Sequence, residues 1–365
     1  MNPLILHIKK IDWIAIAVAL SLTVIGLFSI YSSSVGSGDM SNFYKQGVFL
    51  AIGLGGMLMI SFMDYRILRN DPYLIMFLYL VGLLALLGLF FFAPEIRGIR
   101  SWYRIGGVSI DPIEYIKPVL LILVAKYLSL RHAEMYRIRH IILTGIYFGI
   151  PGLLIFLQPD LGSAGLLVLM WVVILLVAGI KLRHFMVLLL IGTAIFGTGW
   201  TFLLQDYQKD RIIGFVAPEL DPLGIGWSQL QSKIAIGNGG ISGQGLMQGT
   251  QTQYGFLSEP HTDFIFAAIA EEMGLIGISV LIFLIALLLW RLIRIGLEAQ
   301  HNFARLFAIG FISLLLAPFA INIGMNLGFL PIVGVSLPLV SYGGSSLIMT
   351  YIGLGIIQSI KTHQL

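Results

Sequence analysis

Apolar residues run through this chain in long, nearly unbroken blocks separated by short polar breaks. The pattern has neither the alternation of a half-buried strand nor the single stripe of a soluble helix. Blocks of this kind lie near 11–31, 44–62, 73–93, 112–130, 140–157, 161–180, 184–204, 263–290, 303–328 and 337–360. Each approaches the roughly 20 residues that an α-helix needs to cross a hydrocarbon layer about 30 Å thick. In hydrocarbon, backbone N–H and C=O groups must be satisfied within the segment, so such blocks predict helices. The expected architecture is an all-α polytopic integral membrane protein, with about ten transmembrane helices in a single domain over residues 1–365 and helix ends placed to within several residues.

One polar stretch is too long to be a turn. Residues 205–262, between the seventh and eighth blocks, contain nine glycines from Gly224 to Gly255, with Gln and Ser interleaved. Loops of this length in compact proteins are usually functional or disordered. The apolar residues inside it (Ile225, Trp227, Leu230, Ile234, Ile236, Leu246 and Met247) predict that it packs on the bundle.

Lys and Arg orient the bundle, because they favour cytoplasmic segments. With the N-terminus inside, Lys9, Lys10, Arg66, Arg69, Arg131, Arg137, Arg139, Lys181, Arg183, Arg291, Arg294, Arg305 and Lys361 fall on the cytoplasmic side. A smaller set, Lys45, Arg97, Arg100, Arg104, Lys209, Arg211 and Lys233, falls opposite. Both termini are therefore expected in the cytoplasm and the 205–262 loop outside.

Composition agrees. The chain is 58% hydrophobic and 11% charged, with a mean hydropathy of +0.93, too little charge to cover a soluble surface. The net charge of +4 follows from topology and does not call for nucleic acid as a partner. With no cysteine, disulfides, thiolate metal sites and a cysteine nucleophile are excluded. The first block is long for a signal peptide and lacks a clear small-residue cleavage site, so it reads as a membrane anchor.

Four segments can carry chemistry. In SEPHTDFIFAAIAEEMG (258–274) a helix begins after Pro260, with Thr262 or Asp263 as N-cap. Asp263 is either that cap or an acid facing a cavity, with His261 beside it. Glu271 and Glu272 follow a few turns into apolar sequence, where acids are costly and usually functional or paired. In DPIEYIKP (111–118) Glu114 and Lys117 are spaced i,i+3 and form either a mutually neutralising pair or part of a polar cavity. Asp160 in QPDLGSA (158–164) caps a helix or adds a second acid at the outer mouth. Finally, PIVGVSLPLVSYGGSS (331–346) has no charge, and its Pro, Gly and Ser residues, with Ser341, Gly343 and Gly344 at the end, make either a hydrogen-bonding rim or a plain re-entrant turn. The remaining histidines, such as His132, His140 and His184, form no zinc-type cluster, and no Walker or dinucleotide fingerprint is present.

These segments resemble the SEDS family (shape, elongation, division and sporulation proteins) of bacterial peptidoglycan glycosyltransferases over nearly the whole chain. The most specific pieces are IAIGNGGISGQGLMQGTQTQ (234–253), EPHTDFIFAAIAEEMG (259–274) and NLGFLPIVGVSLPLVSYGGSS (326–346). The opening KKIDWIAIAVALSL and the GTQTQ are closer to the elongation branch than to the division branch. Two departures occur: Asp111, Pro112 and Ile113 stand before Glu114 where the family has Gln-Pro-Ser, and Ser258, Glu259 and Pro260 precede His261 where it has Pro-Glu. Neither changes a charged position that the resemblance singles out.

The resemblance implies that Asp263 is the essential aspartate and that Glu114 and Lys117 match the family's fourth-span pair. The substrate it implies is lipid II, polymerised into glycan on the extracytoplasmic side of the inner membrane during cell elongation. The implied partners are a class B penicillin-binding protein and other elongation-complex proteins. No organic cofactor is implied. Asp263 would act as base, or as ligand to a divalent cation (Mg2+ or Mn2+); Lys117, Arg211 and Lys233 are candidates to steady the diphosphate. Two other functions fit intramembrane charge and broken helices: a flippase for the same lipid, and a non-catalytic scaffold of the wall-building complex.

Overall fold

The computed structural model describes residues 3–95, 100–131, 137–202, 204–217 and 224–363, with side chains from residue 7 onward apart from that of residue 225. Arg97, His132 and the side chain of Ile225, all used above, lie outside that set. The described residues form α1 (Pro3–Lys10), α2 (Trp13–Ser37), α3 (Ser41–Phe62), α4 (Arg66–Asn70) and α5 (Pro72–Phe92), then a hairpin of β1 (Tyr103–Ile105) and β2 (Val108–Ile110). There follow α6 (Pro112–Ser129), α7 (Ile138–Leu157), α8 (Leu161–Val177), α9 (Leu182–Phe202), α10 (Asp206–Val216), α11 (Ile225–Gly239) and α12 (Thr250–Gln253). The chain ends with α13 (Ile265–Glu298), α14 (Asn302–Leu327) and α15 (Gly344–Thr362).

The protein is an all-α membrane bundle, as expected. Among the described residues, seven helices (α2, α3, α5, α7, α9, α13 and α14) are long and apolar enough to cross a membrane, and α8 is a shorter apolar helix. The other two expected spans, α6 and α15, are less apolar because they lie at the centre. Every residue from Ile116 to Ala125 and from Gly353 to Ile360 is buried. A helix wrapped by protein meets little lipid, so it can carry Glu114, Lys117, Ser359 and several glycines. α9 is the opposite case: of its described residues only Gly199 is buried.

At one end of the bundle Asp12, 2% exposed, receives Arg291 from α13 and, at 2.8 Å, Lys361 from α15. Its carboxylate also caps α2 by accepting from Ala15 N. One buried anion with two cations ties three helices together where a lone charge would be untenable.

Two expected elements are corrected. The eighth block is broken at Gly274 (φ 63°, ψ −164°). The first piece, Ile265–Glu272, is buried at every position, and exposed apolar side chains start at Leu275 and Ile276. The exposed apolar part of this block therefore begins at Leu275 and not at 263. The tenth block is helical only from Gly344, because Pro338 and the left-handed Leu339 bend the residues before it.

The long loop explains the break. At Gly274 the helix leaves carbonyls and amides without their i→i−4 partners. Gln244 N and Gly245 N donate to Glu271 O and Glu272 O (2.9 and 3.0 Å), while Leu275 N and Ile276 N donate to Gly240 O and Ile241 O (3.0 and 3.2 Å). The glycine-rich segment is thus a backbone splint, and glycine is required where the two backbones meet. A Cβ on Gly243 (φ +81°) would run into Glu272 O. Gly243→Ala is expected to destabilise the protein by about 2 kcal/mol or more, whereas Gly38→Ala, at φ +72° with open space around it, should cost only about 1 kcal/mol. Thermal unfolding of the two variants in detergent checks the difference.

The loop packs on the bundle through only part of its expected apolar set: Ile236 packs against the core and Ile234 is half-buried. Trp227, Leu230, Leu246 and Met247 are exposed, while Gln229, Gln231, Ser232 and Ala235 are buried. α11 thus buries small and polar residues together with part of its apolar set, and leaves Trp227 and Leu230 exposed.

Candidate active site

A cavity of about 710 Å3 opens at the end of the bundle opposite Asp12 and is walled by the hairpin, α6, α8, α10, α14, the 331–343 segment and α15. Asp263, Glu114, Lys117, Asp160, Arg211, His261, Gly343 and Gly344 all line it. Its deeper wall is apolar, with Phe49, Phe311, Leu314, Leu315 and Pro318.

Asp263 sits in the turn before α13. It is not the N-cap of that helix, which is Phe264 and makes no side-chain capping bond. The turn is fixed by donors from elsewhere: Tyr342 N donates to His261 O (2.8 Å), and Ser341 Oγ to Thr262 O (2.7 Å). Gln46, buried on α3, holds the 341–343 turn in place, donating to Ser341 O (3.1 Å) and accepting from Gly343 N (3.2 Å). The His261 ring meets Ser33 Oγ through Nδ1 at 2.7 Å. Burial pushes the His261 pKa below its ordinary value, against the opposing pull of Glu259 and Asp39, which favours the neutral ring.

Arg211 reaches the same region from α10. A Cβ built on Gly334 would lie 3.8 Å from Asp263 Oδ2 and 3.9 Å from Arg211 Nη1, so carboxylate and guanidinium face one spot above that glycine. α10 is hung over the cavity by Tyr207 Oη donating to Pro159 O (2.9 Å). In the same cavity Lys117 Nζ donates to Glu114 Oε1 at 2.6 Å, the two side chains 9% and 20% exposed. Both expectations for this pair hold together: it is neutralising, and it lines the cavity. Asp160 likewise does both, capping α8 through Ser163 N (3.0 Å) while facing the cavity.

Comparison with known proteins decides the family. The profile of the FtsW, RodA and SpoVE family, described as "Cell cycle protein", matches residues 12–365. The chain is 37% identical to the peptidoglycan glycosyltransferase MrdB of Escherichia coli K12 over 97% of its own length and 94% of that protein's. It is 36% identical to the stage V sporulation protein E of Bacillus subtilis, with 96% and 97% covered. This chain belongs to the FtsW/RodA/SpoVE family. Solved structures agree. A chain of a peptidoglycan synthase complex, described for its coordination of polymerisation and crosslinking, superposes with a TM-score of 0.81 at 30% identity, covering 97% of this chain and 99% of that one. The rod shape determining protein RodA of Thermus thermophilus superposes with a TM-score of 0.72 at 29% identity, covering 97% of each. As a family member with long apolar helices, this is a multi-pass protein of the bacterial inner membrane.

Three expected site residues lie outside the cavity of this family member. Lys233 packs over the Gly328 turn that ends α14, where a cation meets the helix's carbonyl end. Ser341 is buried behind the rim and acts on Thr262. Glu271, 0% exposed, accepts from Thr250 Oγ1 (3.2 Å), Gln251 N (2.7 Å), Thr252 N (3.0 Å) and Thr252 Oγ1 (2.8 Å), so it anchors the start of α12. Glu272 similarly bonds Ser32 Oγ of α2. The costly intramembrane acids are structural anchors in a buried polar layer.

Other lining residues were passed over in the sequence. Arg104 comes from β1, Trp102 from just before it, and Tyr207 from α10; nothing in their local pattern marks them. Asp111, noted above only as a departure from the family pattern, caps α6 at Ile113 N (2.9 Å) and also lines the cavity. Burial, aided by the Glu114 carboxylate, pushes its pKa up to about 8.

Proposed function

We propose that this chain polymerises lipid II into glycan strands during cell elongation, on the outer face of the inner membrane, together with a class B penicillin-binding protein. The reading rests on one observation above all: Asp263 and Arg211 face a single spot in a cavity that also holds the Glu114–Lys117 pair and continues into an apolar wall. A glycosyl transfer that expels a diphosphate needs a base for the attacking hydroxyl and positive charge for the leaving group. The wall supplies the third requirement, a seat for lipid.

In the proposed step the 4-hydroxyl of the acceptor GlcNAc attacks C1 of the donor MurNAc from the face opposite the diphosphate. A C1–O4 bond forms with inversion, the hydroxyl proton passes to the Asp263 carboxylate, and undecaprenyl diphosphate leaves with the electrons of the broken C1–O bond. Arg211 offers a planar fork of N–H donors to the diphosphate. The Lys117 ammonium has three donors, of which Glu114 takes one. Among the described residues no three His, Asp or Glu side chains converge as a metal cage. Mg2+ commonly needs only one or two carboxylates beside substrate phosphates, so Asp263 with the diphosphate is the pair that would hold a divalent cation, supplying further charge to the leaving group.

Orientation follows from charge. The Asp12 end gathers Arg291 and Lys361, and Arg66 bonds His363 O there. A cation-rich end suits the cytoplasmic side, and this supports the reading with both termini inside and the cavity outside.

Purified protein, with and without its penicillin-binding partner, is incubated with labelled lipid II and Mg2+, and glycan length is read on a gel. Polymer from the wild type is the expected outcome. No polymer under either condition, with lipid II translocated across vesicles by the same preparation, would replace this reading with transport; neither activity would leave a scaffold.

A further inference from the structure

α13 begins without a cap of its own, yet its first-turn amide at Ala267 is not left bare. Asn326 Oδ1, from α14, accepts from Ala267 N at 3.2 Å. The same side chain donates through Nδ2 to Asp263 O at 2.9 Å and to Asn322 O at 2.8 Å. Asn322 Nδ2 donates in turn to Asp263 O (3.0 Å) and to Val335 O (2.8 Å), the residue after Gly334 on the cavity rim. Ser232 Oγ of α11 donates to Asn326 O at 2.9 Å and lies 3.3 Å from Asn326 Oδ1. Asn322, Asn326 and Ser232 are all fully buried.

We infer that Asn326 is a positioning residue for Asp263: it caps α13 from a neighbouring helix, and with Asn322 it pins the Asp263 carbonyl, so that the outer loop, through Ser232, sets where the Asp263 carboxylate points. This rests on the reading of Asp263 as the reacting acid. Two features of the geometry carry it. An N-cap is ordinarily supplied by the residue at the helix start, and here that duty is moved to another helix, which relieves Asp263 of it. Buried amides satisfied at both ends also fix geometry sharply, because each alternative position would strand a polar group in a low-dielectric interior. With Asp263 O held by two amides and Val335 O by one of them, the acid and the Gly334 rim opposite it move as one body. α11 makes the third contact, so a partner that shifts this loop would be felt at Asp263.

The test uses the full-length chain in two arms. Asn326→Leu keeps side-chain volume and removes both the cap and the donor; Ser232→Ala cuts only the link to α11. Asn326→Leu is expected to lower kcat for lipid II polymerisation about a hundredfold, as a small misplacement of a reacting group does, with KM within about threefold. Ser232→Ala should lower kcat about threefold to tenfold, the worth of one neutral hydrogen bond. Hydrogen exchange should show faster uptake over residues 259–268 in Asn326→Leu, with 275–298 unchanged. A folded Asn326→Leu whose kcat stays within about threefold of wild type, or whose 259–268 exchange is unaltered, overturns the inference while polymerisation by the wild type leaves the enzymatic reading intact. If the wild type makes no polymer, that reading fails and the exchange arm alone decides whether Asn326 fixes the turn. Uniform loosening across all peptides would make Asn326 a fold residue only and also overturn it.

Discussion

Asp263→Asn is expected to cut lipid II polymerisation by about a hundredfold or more, the usual worth of a general base, in a protein that still folds. The substitution changes one oxygen to an amide nitrogen, so shape and volume stay. The backbone contacts that fix the turn, from Asn322, Asn326, Ser341 and Tyr342, do not involve the carboxylate. What is lost is the proton acceptor and the negative charge, and a neutral amide can neither take the acceptor hydroxyl's proton nor bind a divalent cation well. Initial rates on labelled lipid II, beside a thermal unfolding curve in detergent, separate the two effects. Turnover within about tenfold of wild type would place the base elsewhere, with Glu259, which also lines the cavity, as the next acid to change.

Glu271→Ala should do the reverse, damaging the fold before the chemistry. The Glu271 carboxylate accepts four hydrogen bonds, two from backbone amides, in a fully buried setting. Removing it leaves those amides and two hydroxyls without an acceptor and opens a cavity against Gly249, which packs on the carboxylate. Each stranded polar group costs about 1–3 kcal/mol. Even with partial relaxation a loss of about 3 kcal/mol or more is expected. Glu271→Gln keeps one acceptor oxygen and should fall between. The unfolding temperatures of the three proteins give the order directly. A Glu271→Ala protein as stable as wild type yet unable to polymerise lipid II would give Glu271 a part in the chemistry in place of the fold.

The contrast between Asp263 and Glu271 shows how much of the site was legible. Both are acids at the head of an apolar run, and the cost of charge in a membrane marks both equally. The sequence period places them on one helix, but the helix starts two residues after Asp263, and the break at Gly274 aims Glu271 at the loop. The Glu114–Lys117 pair and the Asp160 cap were legible because they are local: an i,i+3 pair and an N-cap depend on spacing alone. Lys233 lies away from the cavity because it packs over the Gly328 turn of a distant helix, a contact that spacing along the chain does not show. Asn322 and Asn326 gave a signal that was not used: two amides at i,i+4 in an otherwise apolar helix, whose carbonyl and amide groups must find partners.

By itself the sequence determined the class of molecule and the approximate course of its helices. Those properties come from composition and from the cost of moving apolar or charged groups between water and hydrocarbon, which each segment meets on its own. Tertiary structure decided the break in α13, the splint that fills it, the polar residues that α11 buries and the separation of cavity acids from anchoring acids. Each of these depends on where a distant backbone or amide supplies a missing hydrogen-bond partner, and in a low-dielectric interior that need outweighs local preference.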